Sequence, residues 1–349
     1  MTTTAAIDTA HLTHFLRELL ETPSPTGMAE PAVARTERAL RELGFSPERT
    51  LKGGLAATWQ GQSHAAPRAL AAHADTLGAM VKEIKPNGRL RLTKIGGFAW
   101  NTVEGEGCTV TPSSGGTVRG SLLIVKASSH IHGAQVGDLK REDENMEVRL
   151  DERTVSPAET RELGIEVGDF VAFDPRVEIT PSGFIRSRHL DDKACVGCMV
   201  AAAKALVDAG LMPSRRTTLF VSNFEEVGHG ASSGLPSDLG ELVTLDMAAV
   251  GEGQASTEFH TTICAKDAGG PYHIELTRRL RNLAEAASIP YKIDTYPYYR
   301  SDGEAYWRSG GPAQVGLFGP GIDASHSYER THLDSLVATC RLIVEYLLS

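Results

Sequence analysis

The stretch "LFVSNFEEVGHG", residues 219–230, runs an apolar segment straight into two adjacent carboxylates, Glu225 and Glu226, with glycines and a histidine close behind. A strand sends successive side chains to opposite faces, so neighbouring glutamates serve one site only where the backbone is leaving the extended conformation. Two such charges at the end of a buried segment need a compensating cation or a proton. The pattern recurs along the chain. "RALAAHAD" (68–75) closes an apolar run on His73 and Asp75, and "LVTLDMA" (242–248) closes another on Asp246. "LDDKACVG" (190–197) opens a helix with Asp191 and Asp192, and "GPGIDASHSYERTH" (319–332) offers His326 after a further strand. In open α/β sheets ligands bind beyond the carboxyl ends of the strands, so these segments are expected to meet in space.

Around these segments the chain alternates helix and strand. Leu12, Phe15, Leu16, Leu19 and Leu20 repeat with the period of an amphipathic helix. Residues 29–43 predict a second helix, with Pro31 in its first turn and Gly44 just past its end. Later helices are expected in "YHIELTRRLRNLAEAAS" and in the terminal "LDSLVATCRLIVEYLLS". Between 77 and 183 the texture changes to short β-like runs separated by glycine and proline turns. The expected class is α/β, a mixed sheet flanked by helices, with a small all-β module inserted. Residues 1–76 and 184–349 would form the catalytic domain and 77–183 the insert, a division that suits a chain of 349 residues.

Composition excludes several functions. The 35 lysines and arginines against 44 aspartates and glutamates leave a net charge of −9, which disfavours nucleic acid and anionic membrane surfaces as partners. The N-terminal residues lack a basic segment followed by an apolar run, and no stretch reaches membrane-spanning length, which predicts a cytoplasmic location. Five cysteines are an odd number without the spacing of a disulfide framework. Cys195 and Cys198 form a CxxC, but they sit inside a run of small and apolar residues at helical spacing, which predicts packing against the sheet rather than redox chemistry.

Taken singly, each polar motif has an ordinary explanation: HxD arises by chance, and an aspartate pair before a helix commonly caps it. Together, two histidines, several aspartates and a glutamate make the borderline nitrogen and oxygen set that suits zinc, with cobalt or manganese as alternatives. Two divalent ions need a bridging carboxylate and terminal ligands on each side. Asp191 is assigned as the bridge, His73 and Asp246 complete one ion's shell, and Glu226 and His326 complete the other's. Asp75 would accept a hydrogen bond from the far nitrogen of His73 and fix its tautomer. Glu225 then remains free to take a proton from the attacking water and pass it to the departing amine. Glycoside hydrolysis is disfavoured because every candidate carboxylate is better used around metal than as an isolated acid/base pair.

The order HxD, LDD opening a helix, EEVG, LDM and a late "HSYE" resembles the family of cytosolic dinuclear-metal aminopeptidases that form tetrahedral dodecamers, some members of which carry cellulase or endoglucanase labels. The resemblance spans nearly the whole chain, including "RLTKIGG" and "ETRELGIEVGDFVAFDP" in the insert. It implies a zinc-exopeptidase-like fold, a barrel-type insert used for dimerisation or assembly, two metal ions per chain, and a homo-oligomer between dimer and dodecamer. It also implies His73, Asp191, Glu226, Asp246 and His326 as metal ligands and Glu225 as general base. Two segments depart from the family's pattern: "PGIDASHSYERTH", and "RSDGEAYW" (300–307) in place of a "GGTDA"-like stretch. The expected function is an aminopeptidase acting on peptides. The alternatives are an amidase or deacylase acting on an N-acylated dipeptide or small amide, and a metal-stabilised assembly protein without catalysis.

Overall fold

The computed structural model describes residues 5–349. It divides into two compact units, one built from the chain up to Asp75 and from Arg176 to Ser349, the other from Thr76 to Pro175.

The first unit is a mixed sheet with helices on its faces, matching the expected class. Strand Ser63–His73 lies near its centre, parallel to Arg215–Ser222 on one side and to Glu241–Leu245 on the other. Glu241–Leu245 is in turn parallel to Gln314–Asp323. Such a parallel centre is buried on both faces, which is why its strands read as unbroken apolar runs. Leu70, Ala72, Val221 and Val243 point into a core with the helices Thr9–Leu20, Leu190–Asp208 and Leu333–Leu348. Ala69, Ala71, Phe220 and Leu242 point the other way, toward Tyr272, Tyr296 and Tyr306.

The helices form where their patterns allow. The Asp8 side chain accepts the His11 backbone N–H at 2.9 Å and starts helix Thr9–Leu20, which buries its five predicted apolar residues. Helix Leu190–Asp208 is buried along almost its whole length, and its many alanines, glycine and cysteines let neighbours approach closely. Cys195, Cys198 and Cys340 are buried free thiols in that core.

Register sets the site. Ser222 pairs with His73, and Thr244 pairs with Ala71, so two residues further on Asp246 comes level with His73. The polar residues that end these strands therefore gather at one edge of the sheet.

The second unit is a closed antiparallel barrel of six strands, Gly78–Ile84, Leu90–Ile95, Met146–Leu150, Val118–Ile124, Gly107–Thr111 and Phe170–Phe173. Alternating residues such as Val81, Leu90, Leu92, Cys108, Val110, Leu122, Val148 and Val171 fill it. Closure by pairing of the first strand with the last leaves no free edge. The sequence reading carried the insert to residue 183. In the structure, Glu178–Ile179 and Phe184–Ser187 form a hairpin that joins the large sheet beside Glu329–His332. Among the described residues no helix is long and apolar enough to cross a membrane.

Candidate metal centre

The opening glutamates end their strand by a sharp change of backbone direction. After Asn223 the chain turns through Phe224, whose φ of 72° lies in the left-handed region, costly for a bulky residue. The Asn223 side chain accepts the Phe224 N–H at 2.9 Å, and the Asp75 carboxylate accepts the N–H of Glu225 at 3.2 Å and of Glu226 at 3.4 Å. Thr26 donates a further hydrogen bond to Asp75 at 2.6 Å. Adjacent glutamates thus reach a common site because the strand has already ended.

Two groups of ligand-type side chains result. Atoms of His73, Asp191 and Asp246 lie within 4.8 Å of one another, and so do atoms of Asp191, Glu226 and His326. Asp191 belongs to both. Its Oδ1 is 3.1 Å from Nε2 of His73, and its Oδ2 is 3.4 Å from Nε2 of His326. Nε2 of His326 is also 3.7 Å from Glu226, while Glu225 Oε2 is 3.7 Å from Nε2 of His73. The six residues named from sequence as ligands and base are therefore brought together.

Asp75 differs from the expectation. The His73 Nδ1 atom meets the backbone carbonyl of Asp75 at 2.8 Å, while the nearer carboxylate oxygen is 3.8 Å away. The carboxylate is engaged by Thr26 and by the amides of Glu225 and Glu226. Asp75 still fixes the His73 tautomer, through its main chain, and its side chain shapes the turn that carries the two glutamates.

Other supports escaped the sequence reading. Glu329, buried, accepts the backbone N–H of Asp191 at 3.1 Å and of His326 at 3.0 Å, tying the residue shared by both groups to the histidine of one. Its signal was the H-x-x-E spacing from His326. His326 itself has a positive φ of 63°. Asp302, also buried, accepts from the Ser222 hydroxyl and from the Ala231 N–H at 2.6 Å. A Cβ on Gly230 would fall 1.7 Å from the Asp302 Oδ1, so only glycine lets this turn close against that carboxylate.

The electrostatics are those of an uncompensated acidic cluster. Burial pushes the Glu225 and Asp246 carboxyls well above the usual carboxylate range; His73 opposes this at Glu225, and the charges of Asp192 and Asp191 add to it at Asp246. Burial and the Asp191 charge push Glu226 up to about 8, and the same two causes bring Glu329 to about 8. Asp191 goes the other way: burial opposes its charge, but hydrogen bonding to His326 and His73 holds it below the usual range. Burial works against a charged His73, yet Glu225, Asp191 and Asp192 outweigh it and raise its pKa. Asp246 Oδ1, a buried oxygen, has no hydrogen-bond partner among the described residues. A carboxylate oxygen left bare among like charges fits a cation, and the histidine and carboxylate set fits a divalent one.

A mixed α/β sheet with two such ligand-type groups at one edge fits the class of metal-dependent hydrolases. The sequence profile of the M42 glutamyl aminopeptidase family matches residues 53–342, and the chain belongs to that family, whose members are metal-dependent hydrolases of peptide bonds. It is 47% identical over 334 residues, 96% of each chain, to YhfE of Bacillus subtilis (strain 168), a protein named as an aminopeptidase. In fold it matches aminopeptidase APDkam598 from the archaeon Desulfurococcus kamchatkensis, with a TM-score of 0.87 at 20% identity over 97% of this chain and 95% of that one. It also matches the Pyrococcus horikoshii TET1 peptidase, with a TM-score of 0.84 at 20% identity over 97% and 99%.

Proposed function

We propose that the chain removes the amino-terminal residue of peptides at a two-metal centre, with His73 and Asp246 on one ion, Glu226 and His326 on the other, and Asp191 between them. The observation that carries this reading is the placement of the two Asp191 oxygens, each facing a different histidine. Zinc is the first metal expected from the donor set, with cobalt or manganese as alternatives. Bound ions would supply Lewis acidity and lower the pKa of a water enough for it to attack at neutral pH.

The chain's own residues perform the proton transfers. Glu225, within reach of His73 but outside both ligand groups, takes a proton as the water oxygen bonds to the scissile carbonyl carbon. The carbonyl π electrons move onto oxygen. When they return, the C–N bond breaks and Glu225 delivers its proton to the leaving amine. The Asp75 contacts to the Glu225 and Glu226 amides hold the base and a ligand in fixed relation, where a small misplacement is costly in rate.

The barrel unit is read as an assembly module and the chain as a cytoplasmic homo-oligomer. The Pyrococcus horikoshii TET1 peptidase, which assembles into a tetrahedron or a large octahedral shell, supports the oligomer by likeness of fold.

A screen of free and N-acetylated aminoacyl anilides, with protein reconstituted in zinc, cobalt or manganese, tests the reading. A free α-amine meets an acidic site as its cationic partner, and acylation removes that charge, so free substrates should be cleaved about a thousandfold faster or more. Preferential cleavage of acetylated compounds would make the chain an amidase of capped dipeptides. Bound metal with no turnover on either series would make it a non-catalytic assembly protein.

A further inference from the structure

The segment that joins helix Thr9–Leu20 to helix Glu30–Glu42 reads "TPSPTG", residues 22–27, and only its Thr26 has entered the description so far. Pro23 and Pro25 restrict two of its φ angles, and a turn closes it, with the Met28 N–H donated to the Pro25 carbonyl at 2.8 Å. Its start is tied to the helix that opens with Asp191: the buried Lys193 donates to the Thr22 carbonyl at 2.7 Å. Its end lies against the turn that carries the two glutamates. There the Gly27 N–H meets the Asn223 side-chain oxygen at 3.5 Å, and that oxygen also accepts the Phe224 N–H at 2.9 Å. Thr26 is buried between these two anchors, which fix where its side chain points.

It points at Asp75. The Thr26 hydroxyl donates to Asp75 Oδ2 at 2.6 Å, and Asp75 is wholly buried. That bond is shorter than either amide contact of the same carboxylate, the Glu225 N–H to Oδ1 at 3.2 Å and the Glu226 N–H to Oδ2 at 3.4 Å. Both amide bonds lie at or beyond the long end of the usual N–H···O range and hold the carboxylate plane weakly. An aspartate carboxylate turns through a broad range about its last bond, so a short bond from a fixed hydroxyl decides its orientation. Once Oδ2 is placed, both amides have fixed acceptors. The left-handed turn at Phe224 is costly and persists only where its surroundings over-determine it.

We infer that Thr26 is a positioning residue for the reaction: acting through the Asp75 carboxylate, its hydroxyl fixes the placement of Glu225 and so the rate of the chemical step. This inference rests on the peptide-hydrolysing reading of the same site. No proton moves along the contact; the water's proton still goes to Glu225 and onward to the leaving nitrogen. A base held in place before the reaction lowers the barrier without changing how substrate binds. The two N-terminal helices, joined by this segment, are thereby coupled to the geometry of the base.

The test starts with Thr26→Val, which keeps the shape of the side chain and removes the hydroxyl. On a free aminoacyl anilide that the wild-type protein cleaves, with metal saturating, kcat should fall about 10-fold or more while KM and metal content stay at the wild-type values. Thr26→Ser keeps the donor and should stay within about twofold of wild type. Thr22→Val removes another hydroxyl of the segment, one that bonds to the Glu18 carbonyl at 2.8 Å rather than to Asp75, and should leave kcat unchanged. Because Thr26 acts through Asp75, adding Thr26→Val to Asp75→Asn should slow the protein no further than Asp75→Asn alone. Unchanged kcat in Thr26→Val, an equal loss in Thr26→Ser or Thr22→Val, or losses that multiply in the double variant would each overturn the inference. If Thr26→Val melts lower, the comparison of the double variant with Asp75→Asn, made below both Tm values, still decides. A wild-type protein that cleaves no peptide-like substrate would instead remove the reading on which the inference rests, and the inference with it.

Discussion

Asp75 receives the backbone N–H of Glu225 in its carboxylate, at 3.2 Å, so a residue just past the end of one strand fixes the orientation of the proposed base just past the end of its neighbour. The same carboxylate holds the Glu226 amide at 3.4 Å. Asp75→Asn keeps the size of the side chain and the main-chain carbonyl that faces His73, but turns one acceptor oxygen into a donor toward those amides. The expected outcome is a kcat lowered about 10²-fold with metal content retained, because misplacement of about 1 Å costs that much. Parallel assays of turnover and metal stoichiometry check it; loss of metal with normal kcat per bound ion would show that Asp75 supports the ligands and not the base.

The two glutamates are expected to separate in function. Glu225→Gln should keep metal near wild-type content and lose about 10²-fold to 10⁴-fold in kcat, the usual worth of a general base. Asp191→Ala should lose metal, since Asp191 alone belongs to both ligand groups. Elemental analysis beside turnover distinguishes them, and a Glu225→Gln protein with full metal and full activity would refute the division.

Much of this was legible in the sequence because buried strands advertise themselves. Apolar runs ending at His73, Asp246 and Glu226 carry their polar residues at one end, and strand periodicity puts those ends together once the sheet is parallel. The partner of the Asp75 carboxylate was not legible. It depends on the left-handed turn at Phe224, a residue type that gives no warning of positive φ. The contact of Glu329 with Asp191 and those of Asp302 with Ser222 and Ala231 depend on strand register and loop closure across long sequence separations, where local pattern says nothing. The insert's far boundary was drawn late because the hairpin at 178–187 has the same turn-rich texture as the barrel and differs only in which sheet it joins.

The barrel is expected to govern assembly. Replacing residues 76–175 with a short glycine-rich linker between Asp75 and Arg176 removes one compact unit and leaves the other's core residues in place. Light scattering should report a smaller species than the full chain forms. An unchanged number of subunits would remove the assembly role from this unit.

Away from the candidate metal centre, a buried ion network makes a prediction about acid stability. Glu241, at the start of its strand, accepts from Arg68 Nε at 3.1 Å, Arg215 Nη1 at 3.1 Å, Arg279 Nη1 at 2.9 Å and the Tyr346 hydroxyl at 3.0 Å. Burial alone would raise its pKa, but the bonds to Arg279 and the charge of Arg68 reverse that and hold it below the ordinary value. A carboxylate depressed in the folded state binds fewer protons there than in the unfolded chain. Its stabilisation is therefore present above the unfolded pKa of about 4.3 and is lost as pH falls through the folded value. Glu241→Gln removes the charge at every pH and leaves three guanidinium groups facing a neutral amide, which should cost about 3–5 kcal/mol at pH 7. Once pH falls through the folded value, which lies below that of the unfolded chain, the wild-type carboxylate itself becomes neutral, so the two proteins should converge only there. Thermal melts of both across pH 3 to 8 measure the gap, and a gap that stays constant with pH would mean that the Glu241 charge contributes nothing and that the substitution acts through packing alone.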